Sequence, residues 1–299
     1  MYKACLGLNY KMIIPLISYL SPYRAYKVNK FTGRIGKPLY RHTSFVFKYP
    51  AAPVGIDTLV SFLGVDHSTA ETIVKNFFLL ETRCEIENLW LAKRKFNLLP
   101  QIIDMDSIRT ISKTIDRKGP MLLLSAHTVY YFMILWALHE MGNKIAFMMV
   151  NPRSALTSDA ILQKSLIESV DSLSALIPVL FTNDGNTVSR SIDLIKKGYT
   201  VMMLLDIPGY RGRGIKVNLF NNEFYVPAGC IKIYEGSCVS IASVFSYAPA
   251  LDKPYSILFS SLDTYPEKID LQIWAQGLEY VVSQWPASWI GWFGLRHMQ

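Results

Sequence analysis

The residue with the clearest chemical potential is His127, which directly follows the apolar run Met121 to Ala126. That run predicts a buried strand, and the residues from Val129 to Met141 predict a helix after it. In open α/β sheets, ligands and catalytic groups gather where the strands end. A neutral imidazole at that edge can take the proton from an attacking hydroxyl or amine, as acyl transfer requires. A buried histidine that bonds a backbone carbonyl would explain the position equally well.

Asp206 is the first candidate partner for this histidine. It ends the predicted strand from Tyr199 to Leu205, so it is expected along the same edge of the sheet. There it would either orient a side chain of the site or cap the loop that follows. Tyr130 and Tyr131 could add hydroxyl groups, although aromatic residues just after a strand more often serve packing.

A basic, glycine-rich segment from Ile207 to Lys216 follows Asp206. Its cations Arg211 and Arg213 could bind the phosphate of a phosphopantetheine arm, a coenzyme A tail or a phospholipid headgroup. An exposed turn with solvated charges is the alternative. Asn151 is a further substrate-binding candidate, but an Asn-Pro pair can simply end a strand.

The elements that would position these residues change in character near Gly119. Residues 1–117 are predicted to be mainly helical, with the clearest helix from His67 to Lys95 and Ser68 or Thr69 as its N-cap. Residues 118–299 alternate apolar strand-length runs with helical patterns. That alternation predicts an α/β fold whose central, largely parallel mixed sheet is covered by helices on both faces. We expect a single domain over residues 1–299.

Composition and charge limit the partners. Hydrophobic residues make up 51% of the chain and charged residues 18%, with a net charge of +8 and a mean hydropathy of +0.20. The apolar content indicates a large core and also suits an apolar cleft or a membrane-facing patch. The positive charge favours an acidic carrier protein, a phosphate or an anionic membrane surface. Nucleic acid is not expected, because no recognition module is present and the cations are scattered.

The N-terminal apolar segment, residues 12–20, is too short for a membrane-spanning helix, which needs about 20 apolar residues. It predicts a helix that packs on the core or lies on a membrane surface. Peripheral attachment would use residues 10–24 and a face formed by Trp285, Trp289 and Trp292, which could also be core residues. The four cysteines form no C-x-x-C pair, which suits a reducing compartment. We expect a cytoplasmic protein, with peripheral attachment to the inner membrane as an option.

Several short segments resemble, in order, blocks of the bacterial lipid A late acyltransferases, a branch of the lysophospholipid and glycerophosphate acyltransferase superfamily. The similarity spans most of residues 70–297. The segments are Ser125–Thr128, Met149–Pro152, Ile195–Asp206, Val217–Asn221 with Val226–Gly229, and Gln284–Phe293 with its Pro-x-x-Trp-x-Trp pattern.

One position departs from this resemblance. The family has an Asp or Glu five positions after the histidine, whereas this chain has Phe132. Either another group replaces that carboxylate, with Asp206 as first choice, or the family chemistry has been changed or lost. The helix after Asn151 also lacks a clear counterpart of the family's arginine, which argues against recognition of the usual lipid acceptor. Together with the missing carboxylate and the absence of a membrane-spanning run, this favours a specialised acceptor rather than lipid A.

The resemblance implies an acyltransferase with His127 as general base. It would move an acyl or aminoacyl group from a thioester, on an acyl or peptidyl carrier protein or on coenzyme A, to a hydroxyl or amine. The thioester is a co-substrate, and no bound cofactor or metal is expected. Two alternatives remain open: a non-catalytic protein that binds acyl carriers or lipids, and a thioester hydrolase. The chain has no Gly-x-Ser-x-Gly elbow, Walker loop or dinucleotide-binding glycine pattern.

Overall fold

The structure is a computed structural model that describes residues 12–35, 51–154, 160–207, 214–262 and 269–295. The first part of the chain is helical, as expected. Its helices are α1 Ile14–Ile17, α2 Pro22–Ile35, α3 Ala51–Leu63, α4 His67–Ala92, α5 Leu99–Ile102 and α6 Met105–Lys118.

Strands and helices alternate after residue 120, which confirms the predicted α/β class. The strands are β1 Met121–Ser125, β2 Ile145–Met149, β3 Val179–Phe181, β4 Thr200–Leu204, β5 Ile215–Leu219, β6 Asn222–Val226, β7 Ser240–Tyr247 and β8 Ser256–Ser261. The helices among and after them are α7 Phe132–Glu140, α8 Ala160–Ser174, α9 Thr187–Lys196, α10 Gly229–Ser237 and α11 Leu271–Gln284.

Six of these strands form one sheet in the order β3-β2-β4-β1-β7-β8. All neighbouring pairs are parallel except β7 and β8, which are antiparallel. β5 and β6 form a separate antiparallel hairpin whose turn residues, Phe220 and Asn221, both have positive φ angles. The largely parallel sheet is the one that the alternating pattern predicted.

Alternating side chains of the strands pack into two separate cores. Leu123 and Met202 face one side of the sheet, together with α7 and the C-terminal half of α4. Leu122 and Val201 face the other side, with α10 and α11. Both faces of the parallel strands are therefore covered, so β1, β2 and β4 are buried at every position.

Helix α4 connects the helical part of the chain to the sheet through a buried charge network. Arg83 and Glu87, one turn apart, are 1% and 0% exposed and lie 2.7 Å apart. Tyr26 of α2 and Tyr255 just before β8 both donate to Glu87, and the Arg83 guanidinium lies over both rings. The pair also reaches the loop before β8, because Arg83 donates to the carbonyl of Lys253 at 2.7 Å.

Helix α4 starts at His67 as predicted, but its predicted N-cap and the predicted start of α7 were wrong. The N-cap of α4 is Asp66, whose carboxylate accepts from the main chain of Thr69 at 2.9 Å, so neither Ser68 nor Thr69 caps the helix. Helix α7 begins at Phe132 rather than at Val129. Its late start follows from Tyr130, whose φ of 44° is left-handed and incompatible with a helix.

Candidate functional site

His127 and Asp206 meet at the carboxyl edge of the sheet, as expected. β1 and β4 are neighbours, and Ser125 pairs with Leu204 in their register. Because each candidate residue lies two positions beyond its strand, the register brings them to the same level. His127 Nδ1 lies 2.8 Å from Asp206 Oδ1, and the main-chain N–H of His127 donates to Oδ1 and Oδ2 at 2.9 and 2.8 Å.

These contacts determine how the imidazole is used. An ionised carboxylate only accepts hydrogen bonds, so the Nδ1 of a neutral His127 carries the proton and Nε2 keeps a free lone pair. The Asp206 side chain is 1% exposed, whereas that of His127 is 35% exposed. Among the described residues Nε2 has no hydrogen-bond partner. The pair thus combines a buried, orienting acid with a solvent-accessible base.

Trp289 is the third member of this site, and the sequence did not indicate its role. Its indole Nε1–H donates to Asp206 Oδ2 at 2.8 Å, and its side chain is completely buried. The carboxylate therefore accepts from the His127 main chain, the His127 ring and the Trp289 indole. A carboxylate held by several donors is fixed in position and compensated for its burial.

The segment around Trp289 also holds the His127 backbone. The N–H of Val129 donates to the carbonyl of Ser288 at 2.7 Å, and the N–H of Ile290 donates to the carbonyl of His127 at 3.2 Å. On the other side, the Ser246 hydroxyl of β7 donates to the carbonyl of Val129. The loop that carries the histidine is thus clamped between a strand and the C-terminal segment.

Tyr131 and Glu81 extend the site away from Asp206. The Tyr131 ring stands edge-on to the His127 ring, with centroids 5.7 Å apart. Burial, followed by the charges of Asp206 and Glu81, raises the pKa of Tyr131 well above its usual value, so the phenol stays protonated. Burial and the neighbouring Glu85 raise the pKa of Glu81 to about 8, although part of the Glu81 side chain reaches solvent.

Tyr130 does not offer its hydroxyl group to the site. Its side chain is 6% exposed and its hydroxyl donates to Asn88 Oδ1 on α4, so it ties α4 to the histidine loop and is a packing residue. Phe132 is also buried, with ring centroids 4.6 Å from Tyr131 and 5.6 Å from Phe147. The position that would carry an acid in the resembled family is therefore part of an aromatic cluster, and Asp206 is the carboxylate that bonds the imidazole.

The remaining predicted residues lie further along the edge or outside the described chain. Asn151 follows β2, and its side-chain oxygen accepts from the main chain of Arg153 at 2.9 Å, which shapes the turn after the strand. Arg153 in turn bonds Asp171 at 2.6 and 2.8 Å. Arg211 and Arg213 lie outside the described residues, so their predicted phosphate contacts stay predictions.

The C-terminal tryptophans are core residues rather than a membrane-facing surface. Trp289 and Trp292 are 0% and 1% exposed, and only Trp285 is half-buried, stacked on Tyr247 at 3.9 Å between centroids. The expectation of membrane attachment through all three was therefore wrong. The Pro-x-x-Trp-x-Trp pattern was the available signal for Trp289, but the pattern alone does not connect an indole to an aspartate 83 positions away.

An open, polar groove of about 490 Å³ lies apart from this site. It is bordered by amide and hydroxyl side chains of β5, its turn and α11, and Glu279 on its wall accepts from the main chain of Phe220 at 3.1 Å. None of its lining residues belongs to the His127 site. The groove shows no titratable pair like His127 and Asp206, so the sheet edge is the stronger candidate site.

Comparison with known proteins leaves the family open: no protein-family model matches the chain, and no curated protein matches it. In the part of the chain that the structure describes, no helix is long and apolar enough to cross a bilayer. Within the same residues, no three His, Cys, Asp or Glu side chains come together as a metal site.

Proposed function

We propose that this protein is a thioester-dependent acyltransferase in which His127 is the general base. The observation that supports this most directly is the 2.8 Å contact between His127 Nδ1 and a buried Asp206, with the imidazole itself 35% exposed. A structural histidine needs neither an orienting carboxylate nor an open Nε2. An oriented base at the end of a parallel strand is what transfer to a weakly acidic hydroxyl or amine needs.

The reaction would proceed by addition and elimination. Nε2 of His127 takes the proton from the acceptor hydroxyl or amine as its oxygen or nitrogen bonds the thioester carbonyl carbon. Asp206 stabilises the imidazolium that results, without itself becoming protonated. The carbon–sulfur bond then breaks, and the thiolate leaving group takes the proton from Nε2. The backbone N–H of Phe132, at the start of α7, is the candidate donor to the oxyanion, because those of Met133 and Ile134 already donate to the carbonyls of Tyr130 and Tyr131.

The acyl donor would be a thioester on an acyl or peptidyl carrier protein or on coenzyme A. The net charge of +8 favours an acidic carrier. We propose a cytoplasmic protein because such donors are made there. The resemblance to lipid A late acyltransferases supports the same reaction class, and Asp206 supplies the carboxylate that position 132 lacks.

Thiol release from a panel of acyl and aminoacyl thioesters tests the proposal. The wild type should release thiol, and His127→Ala should abolish release. Asp206→Asn should lower kcat by up to about 10⁴, the cost of losing the orienting carboxylate in the serine-protease triad. His139→Ala, which removes a histidine at the far end of α7, is the matched control and should keep full activity.

Mass analysis of the products separates the remaining alternatives. A conjugate of acyl group and acceptor supports transfer, whereas free acid alone would identify a hydrolase. If no thioester in the panel is cleaved but carrier protein binds tightly, the protein is a non-catalytic binder and the proposal is wrong. Release that persists unchanged in His127→Ala would equally rule out the proposed base.

A further inference from the structure

The exposed apolar side chains of the protein are concentrated in one short segment. Among the described residues, seven large apolar side chains are exposed, and five of them lie between Met12 and Val28. Met12, Leu16, Tyr19 and Tyr23 are 54, 64, 74 and 63% exposed. These four residues, together with Lys27, Lys93 and Lys95, are called the N-terminal patch below. Scattered exposed apolar residues are normal, but a contiguous set marks an interaction surface.

The opposite side of the same segment anchors it to the protein. Ile14, Ile17 and Tyr26 are 3, 5 and 5% exposed and belong to the core beneath the sheet. The Trp90 indole of α4 donates to the carbonyl of Ser18 at 2.6 Å, which fixes the turn between α1 and α2. The exposed side chains are therefore held outward by a packed segment, and their exposure is not that of a loose terminus.

Cations surround the exposed aromatic rings. Lys27 Nζ lies 4.3 Å from the centroid of the Tyr23 ring, and Lys93 Nζ lies 4.4 Å from that of Tyr19. Lys95 Nζ is 6.0 Å from the same Tyr19 ring. Aromatic residues and lysines side by side are the combination found at the boundary between lipid headgroups and acyl chains.

The positive charge of the chain is concentrated in the same part of the sequence. The first 56 residues contain nine Lys and Arg and no Asp or Glu, while the other 243 contain 22 Lys and Arg and 23 Asp and Glu. The whole positive charge of the protein is thus contributed by the part of the chain that carries the N-terminal patch. An anionic surface would be attracted to this part and not to the remainder.

We propose that the N-terminal patch docks the protein on an anionic lipid surface. Leu16, Tyr19 and Tyr23 enter the headgroup boundary, and the lysines bind lipid phosphates around them. Helix α4 connects this surface to the His127 loop, because near its C-terminal end Trp90 donates to Ser18 and Asn88 accepts from Tyr130. The docking does not depend on acyl transfer, so it stands or falls separately from the proposed reaction.

Vesicle cosedimentation of the full chain tests the docking. The protein should bind vesicles of phosphatidylcholine mixed with phosphatidylglycerol, bind pure phosphatidylcholine much more weakly, and dissociate as salt increases. Leu16→Asp and Tyr19→Asp should each lower the partition coefficient at least about tenfold, because a charge replaces an apolar side chain that would enter the lipid boundary. Lys27→Gln and Lys93→Gln should each lower it about fivefold.

Matched controls lie outside the N-terminal patch. Tyr280→Asp changes an equally exposed tyrosine, 57% exposed, and Lys232→Gln neutralises an exposed lysine of α10. Both should bind vesicles like the wild type, and thermal melts should show that all variants are folded. Failure of the wild type to bind anionic vesicles, or equal loss in Tyr280→Asp, would overturn the proposal.

Two further results would assign the N-terminal patch to another occupant and also overturn it. Sedimentation velocity would show a concentration-dependent dimer that Leu16→Asp dissociates, if a second copy covers the surface. Binding of an acidic carrier protein that Leu16→Asp abolishes, with no vesicle binding, would assign the surface to the carrier.

Discussion

Asp206 accepts from three N–H groups: the His127 main chain, the His127 ring and the Trp289 indole. The first two bonds follow from the register of β1 and β4, so Asp206 could be chosen from the sequence as the end of a neighbouring strand. The third bond, from Trp289, could not be predicted from the sequence. Trp289 reaches the site from a segment at the other end of the chain, and only tertiary packing brings it there.

Trp289→Phe should lower kcat and leave KM nearly unchanged, because the ring is kept while one bond to the orienting carboxylate is lost. A hydrogen bond to a charged group contributes about 1.5–3 kcal/mol, so a ten- to hundredfold fall in kcat is expected. Trp292→Phe is the control: this indole is equally buried but donates to the carbonyl of Pro286 at 2.7 Å. It should cost stability and little kcat, as steady-state kinetics and melts would show. Equal kcat for both variants would contradict a positioning role.

Glu81 makes the stability depend on pH. Its folded pKa is raised to about 8 from 4.5, so the folded state keeps a proton that the unfolded state releases. This contribution is complete below pH 4.5 and is lost as pH rises towards 8. Glu81→Gln should therefore melt higher than the wild type at pH 9, with a smaller difference at pH 5. Exposed Glu235→Gln should show no such trend; a constant difference for Glu81→Gln would disprove the raised pKa.

Helix α4 was the element that the sequence located best, but the partners of its buried charged residues were not predictable from the sequence. In the sequence, a stripe at three- and four-residue steps predicts one buried side of this helix: Ile73, Phe77, Leu80, Cys84 and Glu87. Phe77, Leu80 and Cys84 are buried as this spacing requires. Glu87 is buried too, and its burial makes sense only beside Arg83 and two tyrosines from other elements. Periodicity predicts which side of a helix is covered, but it does not predict the partners of a buried charge.

Glu87→Gln should destabilise the protein by about 3 kcal/mol or more, because it leaves the Arg83 charge buried without its counter-ion. Urea unfolding would measure this loss as a lower midpoint. Glu223→Gln breaks the exposed pair with Lys216 and should leave the midpoint nearly unchanged. Similar midpoints for the two variants would mean that Glu87 does not compensate Arg83.

At the scale of the whole molecule, the order of strands and helices after Gly119 was predictable, because parallel strands are apolar on both faces. The sheet order β3-β2-β4-β1-β7-β8 was not, since apolar strands carry no mark of their neighbours. Nor did the sequence distinguish a tryptophan core from a tryptophan surface. Trp289, Trp292 and Phe293 pack with Phe220 and Phe77 from distant parts of the chain.

A chain that ends at Gln284 should not fold cooperatively. It lacks Trp289, Trp292 and Phe293, all nearly completely buried, and each large aromatic lost from a core costs about 3–5 kcal/mol. The summed loss is as large as the whole free energy of unfolding of a typical domain, about 5–15 kcal/mol. Near-ultraviolet circular dichroism should be lost, whereas Tyr280→Ala, which removes an exposed ring, should unfold like the wild type. A sharp transition at the wild-type midpoint would refute this.

The C-terminal segment that fixes the histidine loop also determines when, during synthesis, this loop reaches its final geometry. During synthesis, the strands that carry His127 and Asp206 leave the ribosome well before Ser288, Trp289 and Ile290, and domains begin to fold from their N-terminal side. A nascent chain can therefore pair β1 with β4 while the bonds to Val129, Asp206 and the His127 carbonyl are still unmade. His127 would be held in its final geometry only after Ser288, Trp289 and Ile290 have been translated, so nascent chains without these residues would not yet hold the His127–Asp206 pair as the folded protein does.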